Sequence, residues 1–217
     1  MPIYADLNTA FVHIPKTGGS SIASALYNAN KAAKGKKNGY SFEIEKHETV
    51  LDIQKYCERQ NFVRLFSFSI VRNPLDRLAS WYSYYKDLFE KKMLPSNLCE
   101  KGCGERFLKM EFNEWVRSIR GEFDPSCSTE IDCPLTRMAA QTVHVSDYGG
   151  FILVDEIIRF EELEDGWDYI CSKIGLKDVP LPHINRGRGI NYRELYEEDT
   201  EQIVRDFYKV DFDTFGY

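Results

Sequence analysis

The stretch Phe11–Leu26, FVHIPKTGGSSIASAL, constrains the fold more than any other part of the chain. Phe11–Ile14 reads as a short buried strand, and a Pro-Lys-Thr-Gly-Gly turn ends it. From Ser20 the apolar spacing becomes helical, with Ile22, Ala25 and Leu26 on one face as far as Ala33. A strand that passes at once into a helix is the repeating unit of an α/β fold. The turn also has chemical content. The amides and dipole at a helix N-terminus favour an anion in front of them. Gly18 and Gly19 would let the backbone approach that anion, Thr17, Ser20 and Ser21 would add hydroxyls, and Lys16 a mobile positive charge.

The rest of the chain continues the alternation. YSFEIEKH alternates like a strand, Glu48–Gln60 has helical spacing, and Val63–Val71 is a second core strand. Asn73 then caps a helix with Pro74 at its first position, running to about Lys92 and carrying Trp81, Tyr82 and Tyr85 as core aromatics. Residues 93–110 and 121–149 are loop-rich and flank a short helix near Asn113–Arg120. FILVDEIIRF gives one strand or a broken pair. ELEDGWDYICSKIGL is a helix stopped by Gly175, and a last helix lies near Glu197–Tyr208. The pattern predicts a P-loop-like three-layer α/β/α fold with a central parallel sheet, as a single domain over residues 1–217.

Composition sets the limits. The 217 residues are 43% hydrophobic, enough for one sizeable core. A net charge of -6 argues against a nucleic-acid partner and an anionic membrane surface, so an anion site must be a local patch in an opposing field. No apolar run approaches the ~20 residues of a membrane helix. The N-terminus lacks the pattern of a signal peptide, and no Asn-x-Ser/Thr acceptor occurs. As it stands the chain reads as cytoplasmic; for a chain trimmed from an anchored precursor, the Golgi lumen is the alternative. Cys57 and Cys171 read as buried thiols. Cys99, Cys103, Cys127 and Cys133 fall in one irregular region, and their spacing leaves disulfides, a zinc site and free thiols all open.

Residue order decides what kind of anion site this is. A nucleotide triphosphatase loop places its Lys after the glycines, in G-x-x-x-x-G-K-[ST]. Here Lys16 precedes them, and no magnesium-binding Asp ends a later apolar strand. An ATP-dependent phosphotransferase is therefore the disfavoured alternative, and a non-catalytic nucleotide-binding module a second one. FSIVRNPLDRLASWY repeats the strand-to-helix design: Arg72 ends a core strand and could fork a second phosphate, with Ser80 as a hydroxyl donor. Asp76 and Arg77 read as a surface or helix-cap pair. Two such grips on neighbouring strand ends suit a ligand phosphorylated at both 5′ and 3′ positions.

PKTGGSS and VRNPLDRLASWY resemble the 5′-phosphosulfate and 3′-phosphate motifs of sulfotransferases that use 3′-phosphoadenosine-5′-phosphosulfate. Among these the chain more closely resembles the carbohydrate sulfotransferase family that includes heparan sulfate 2-O-sulfotransferase and its short bacterial relatives. IIRFEELEDGWDYICSKIGL, LPHINRGRG and RDFYKVDFDTFGY carry the likeness on to Tyr217, and residues 93–140 carry little of it. The resemblance implies transfer of a sulfuryl group to a hydroxyl, in family terms that of a carbohydrate, with 3′,5′-adenosine bisphosphate as product and no metal required. It also implies that an irregular insertion at about 93–149 shapes the acceptor site, and that the two Cys pairs match the small disulfide loops of lumenal members.

Such a reaction needs a cation beside the breaking bond and a base for the hydroxyl proton. Lys16 can supply the first. Of the four histidines, His47 follows the strand SFEIE, at the strand end where α/β ligands sit, and an imidazole titrates near neutral pH. It also matches the family's catalytic histidine position. His13 reads as structural, His144 has no informative context, and His183 resembles a loop-positioning element. Arg186 and Arg188 lie in NRGRGINYR, either an exposed basic loop or, as the resemblance implies, a flap over the 3′-phosphate. Oligomeric state is not legible.

Overall fold

The structure, a computed structural model, describes residues 3–33, 47–59, 65–91, 109–121, 138–182, 184 and 191–217. In chain order its elements are β1 (Ile3–Tyr4), β2 (Thr9–Val12), α1 (Gly19–Ala33), α2 (Val50–Arg59), β3 (Phe66–Val71), α3 (Pro74–Glu90), α4 (Phe112–Gly121), α5 (Thr142–Val145), β4 (Glu156–Arg159), α6 (Leu163–Lys173), α7 (Glu198–Phe207) and α8 (Lys209–Phe215). They divide between two compact units: Met1–Arg72 with Gln141–Asn185, and Asn73–Ala140 with Arg186–Tyr217.

The first unit holds a four-stranded sheet in the order β1-β2-β3-β4. β2 and β3 run parallel with Phe11 opposite Phe68, and β3 and β4 run parallel with Ile70 opposite Ile158. The parallel core is as the sequence predicts. The antiparallel edge strand β1, with Ile3 opposite Ala10, is an addition; two residues are too few to show a period. Alternation turns Phe11, Phe68 and Ile70 to one face, where they pack with Ile22 and Leu26 of α1 and Trp167 and Ile170 of α6. A Cβ on Gly166 would lie 2.1 Å from Ile158 Cγ2, so α6 can pack this closely on β4 only through a glycine. Ala10, Val12, Ser69 and Val71 on the other face are buried too, as expected of a parallel sheet. The Ser69 hydroxyl is satisfied there by donating to the Val12 carbonyl (2.8 Å).

The first strand spans Thr9–Val12 and not Phe11–Ile14. Thr9 pairs opposite Phe66, and the ladder to β3 stops at Val12, two residues before the apolar run does. Residues 40–46 of the expected strand YSFEIEKH, the four cysteines of the irregular region, and His183, Arg186 and Arg188 lie outside the described residues. Cys171 is a buried free thiol, pushed up to about 11 by desolvation, while Cys57 is free but only half-buried.

The second unit is helical. Leu75, Leu78 and Trp81 of α3, Phe112, Trp115 and Val116 of α4, Met138, and Val204 and Tyr208 form its core. Asn73 caps α3 as expected, its Oδ1 accepting from the Leu75 amide (3.0 Å). Arg77 corrects the expectation of a surface pair. It is 1% exposed and its Nη1 donates to the Ala139 carbonyl (2.9 Å), so this arginine is a core tie. Asn113 joins α4 to α7 by donating to the Leu195 carbonyl (2.9 Å) and accepting from the Thr200 hydroxyl (2.6 Å). The last helical stretch is two helices, because the chain breaks at Tyr208.

Candidate active site

Parallel pairing brings the carboxyl ends of β2, β3 and β4 to one edge of the first unit, where ligands of open α/β sheets bind. Each strand hands over to one part of the site: β2 to the loop His13–Gly18, β3 to Arg72, and β4 to Phe160.

The loop is held in an unusual backbone. Lys16 has φ 67° and Gly18 φ 79°, both left-handed. For the lysine that conformation costs about 1–2 kcal/mol. Three bonds hold it: Thr17 Oγ1 donates to the Ile14 carbonyl (2.9 Å), Arg72 Nη1 to the Lys16 carbonyl (3.1 Å), and the Ser21 amide to the Gly18 carbonyl (3.0 Å). Thr17 is fully buried and its hydroxyl proton is used inside the loop.

The two glycines are dictated by rings. A Cβ on Gly18 would lie 2.8 Å from Phe160 Cε2, and one on Gly19 would lie 2.3 Å from His13 Cδ2. Close approach by a ligand, the reason read from the sequence, is not needed to explain either residue. Phe160 also carries the Arg72 guanidinium, 4.3 Å above its ring centroid. The Arg72 backbone is clipped on both sides by the buried Gln141, whose Oε1 accepts from its amide (2.8 Å) and whose Nε2 donates to its carbonyl (2.9 Å). Arg72 is thus fixed at the strand end with its side chain on the loop.

His47 stands beside the same loop, its Nδ1 3.0 Å from the His13 carbonyl. A carbonyl only accepts, so Nδ1 must carry hydrogen, and the basic nitrogen of the neutral ring is Nε2. The His13 and His47 rings meet edge to face at 4.8 Å.

Of the expected site residues, Lys16, Thr17, Gly18, Gly19, Ser20 and Ser21 form one continuous turn into α1; Arg72 donates to the Lys16 carbonyl at its start, and His47 bonds the His13 carbonyl just before it. Ser20 is half-buried in the opening turn of α1. Ser21 is buried, and its Oγ accepts from the Ile184 amide (3.2 Å). Ser80 lies on α3, in the second unit. His144 is buried in α5. Phe160 and Gln141 were missed. Phe160 could have been read from its place at the exit of FILVDEIIRF, whereas nothing local marks Gln141. Among the described residues no cluster of His, Cys, Asp or Glu could hold a metal ion, and no helix is long and apolar enough to cross a membrane.

A strand-end loop with a lysine, opening a helix beside an arginine and a histidine, has the chemistry to hold an anion. Residues 4–217 match the profile described as the Sulfotransferase family, so the chain belongs to the sulfotransferases, transferases of sulfuryl groups with a P-loop-like α/β fold. No curated protein and no solved structure matches the chain.

Proposed function

We propose that this sulfotransferase takes its sulfuryl group from 3′-phosphoadenosine-5′-phosphosulfate and delivers it to a hydroxyl, with a carbohydrate as the acceptor class. The observation that carries this reading is the attachment of His47 and Lys16 to one loop. His13 fixes the imidazole by its carbonyl, and Lys16 follows three residues later. The residues fit the donor: the opening turn of α1 presents amides, Ser20 a hydroxyl and Lys16 an ammonium.

The donor, when bound, supplies a sulfuryl group on a phosphate leaving group. Lys16 balances the charge that builds on the phosphate oxygen as its bond to sulfur breaks. His47 Nε2 takes the proton of the acceptor hydroxyl while that oxygen bonds to sulfur. Arg72 grips the 3′-phosphate. Ser80, Arg186 and Arg188 are assigned to the same end of the nucleotide by their motifs. The carbohydrate acceptor, shaped by the segment about 93–149, rests on family resemblance.

Thermal denaturation with each nucleotide tests the donor. Stabilisation by 3′,5′-adenosine bisphosphate without metal is expected; stabilisation by magnesium-ATP alone would overturn the reading in favour of phosphoryl transfer. Screening hydroxyl-bearing oligosaccharides by mass spectrometry for an added sulfate tests the acceptor.

A further inference from the structure

His13 is 5% exposed, and a buried histidine at a strand exit has the bland reading of a core residue. Its surroundings are more specific. One side of its ring occupies the place a Cβ on Gly19 would take, with Cδ2 at 2.3 Å and Nε2 at 2.4 Å from that position. Its ring also meets the His47 ring edge to face at 4.8 Å, and Phe11 stacks on it at 5.4 Å. Its own backbone carbonyl accepts from His47 Nδ1 (3.0 Å). A single residue therefore supplies both a hydrogen-bond acceptor and an aromatic wall to the proposed base, while its ring rests on the glycine that opens α1.

We infer that His13 is a positioning residue: it seats His47 in the tautomer with the proton on Nδ1 and registers that ring to the Gly18–Gly19 turn. The inference rests on the reading of His47 as the base. The carbonyl selects the tautomer, because the alternative would set the Nδ1 lone pair against a carbonyl oxygen. The ring limits rotation of the imidazole about its Cβ–Cγ bond, so Nε2 keeps one direction. Gly19 closes the arrangement, since any side chain there must displace the His13 ring, and through it His47. What matters is the flat shape of the His13 ring and not its nitrogens. Phenylalanine should therefore serve where alanine fails.

The test compares the wild type with His13→Ala, His13→Phe and His47→Ala. Imidazole ¹⁵N shifts are recorded with 3′,5′-adenosine bisphosphate bound. Bisphosphate affinity is measured, and the rate is read as bisphosphate released when the phosphosulfate donor transfers to water. The wild-type signal that disappears in His47→Ala should show a protonated Nδ1. In His13→Ala the carbonyl remains but the ring that holds His47 Nδ1 against it is gone, so that signature should become a tautomer mixture and the rate fall about 100-fold, with bisphosphate affinity unchanged. His13→Phe should recover both signature and most of the rate. If His13→Ala fails to fold, Gly19→Ala, which displaces the ring without opening a cavity, carries the same expectation for signature and rate. The inference is overturned by a His13→Ala that keeps tautomer and rate, by a rate loss that tracks bisphosphate affinity, or by a His13→Phe no better than alanine. An active His47→Ala would instead overturn the base assignment, and the wild-type and His13→Ala shifts would still decide whether His13 seats the ring.

Discussion

Lys16 is a lysine in a left-handed backbone, held there by the Arg72 bond to its carbonyl and by the Thr17 bond beside it. A conformation that disfavours side chains is kept at the position where the proposed reaction places its ammonium, so stability and activity should part there. Lys16→Ala should cut transfer about 100- to 1,000-fold, a loss typical of removing one group that stabilises developing charge. Lys16→Gly should be as inactive yet more stable than Lys16→Ala by about 1 kcal/mol, because glycine relieves the strain. Chemical denaturation of the two variants measures this, and equal stabilities would count against a strained loop. Phe160 belongs to the same scale. Removing its ring in Phe160→Ala takes away the platform under Arg72 and the wall behind Gly18, so bisphosphate affinity should weaken about tenfold, as for a part-buried cation–π contact. The rate at saturating donor should fall less, which titration calorimetry beside initial rates would show; an unchanged affinity would mean that Arg72 needs no support.

At the scale of elements, the strand-to-helix turns were the legible part. Asn73 and Pro74 announce α3 because a cap and a fixed φ are local chemistry, and the switch of period after Gly19 announces α1 for the same reason. What escaped was decided by distant residues. β1 pairs with Thr9 and Ala10 over too few residues to show a period, and the buried Arg77 donates to the carbonyl of Ala139, far along the chain. The ring that requires Gly18, that of Phe160, also comes from a segment far along the chain, whereas the His13 ring against Gly19 belongs to the same loop. The junction of α4 and α7 shows the electrostatic side of element packing. Arg117 bonds Glu197 and Asp199, and these guanidinium bonds hold the Asp199 carboxyl below its ordinary range. A carboxyl lowered in the folded state stabilises fully above its unfolded value, near pH 4, and that contribution is lost as pH falls through the lowered folded value. The wild type should therefore lose more stability than Arg117→Met between pH 6 and pH 3. Urea midpoints at the two pH values compare them, and parallel losses would show that the junction contributes nothing.

For the molecule as a whole, the family match runs from residue 4 to residue 217, and the chain carries a net charge of -6. If an acidic protein is to bind a polyanionic nucleotide, it must do so through local groups, in the proposed site a helix start, Lys16 and Arg72, because its overall field repels the ligand. This division explains what could be read in advance. The proposed donor handling is written in backbone turns and strand ends that repeat across α/β proteins, whereas the proposed acceptor segment has a sequence with no period or cap to read. The most direct measurement is a crystal structure with 3′,5′-adenosine bisphosphate bound. The expected result places the 5′-phosphate at the opening turn of α1, within hydrogen-bond reach of Lys16 Nζ and Ser20, and the 3′-phosphate on Arg72. A nucleotide bound elsewhere, or bound there with Lys16 turned away from the 5′-phosphate, would contradict it.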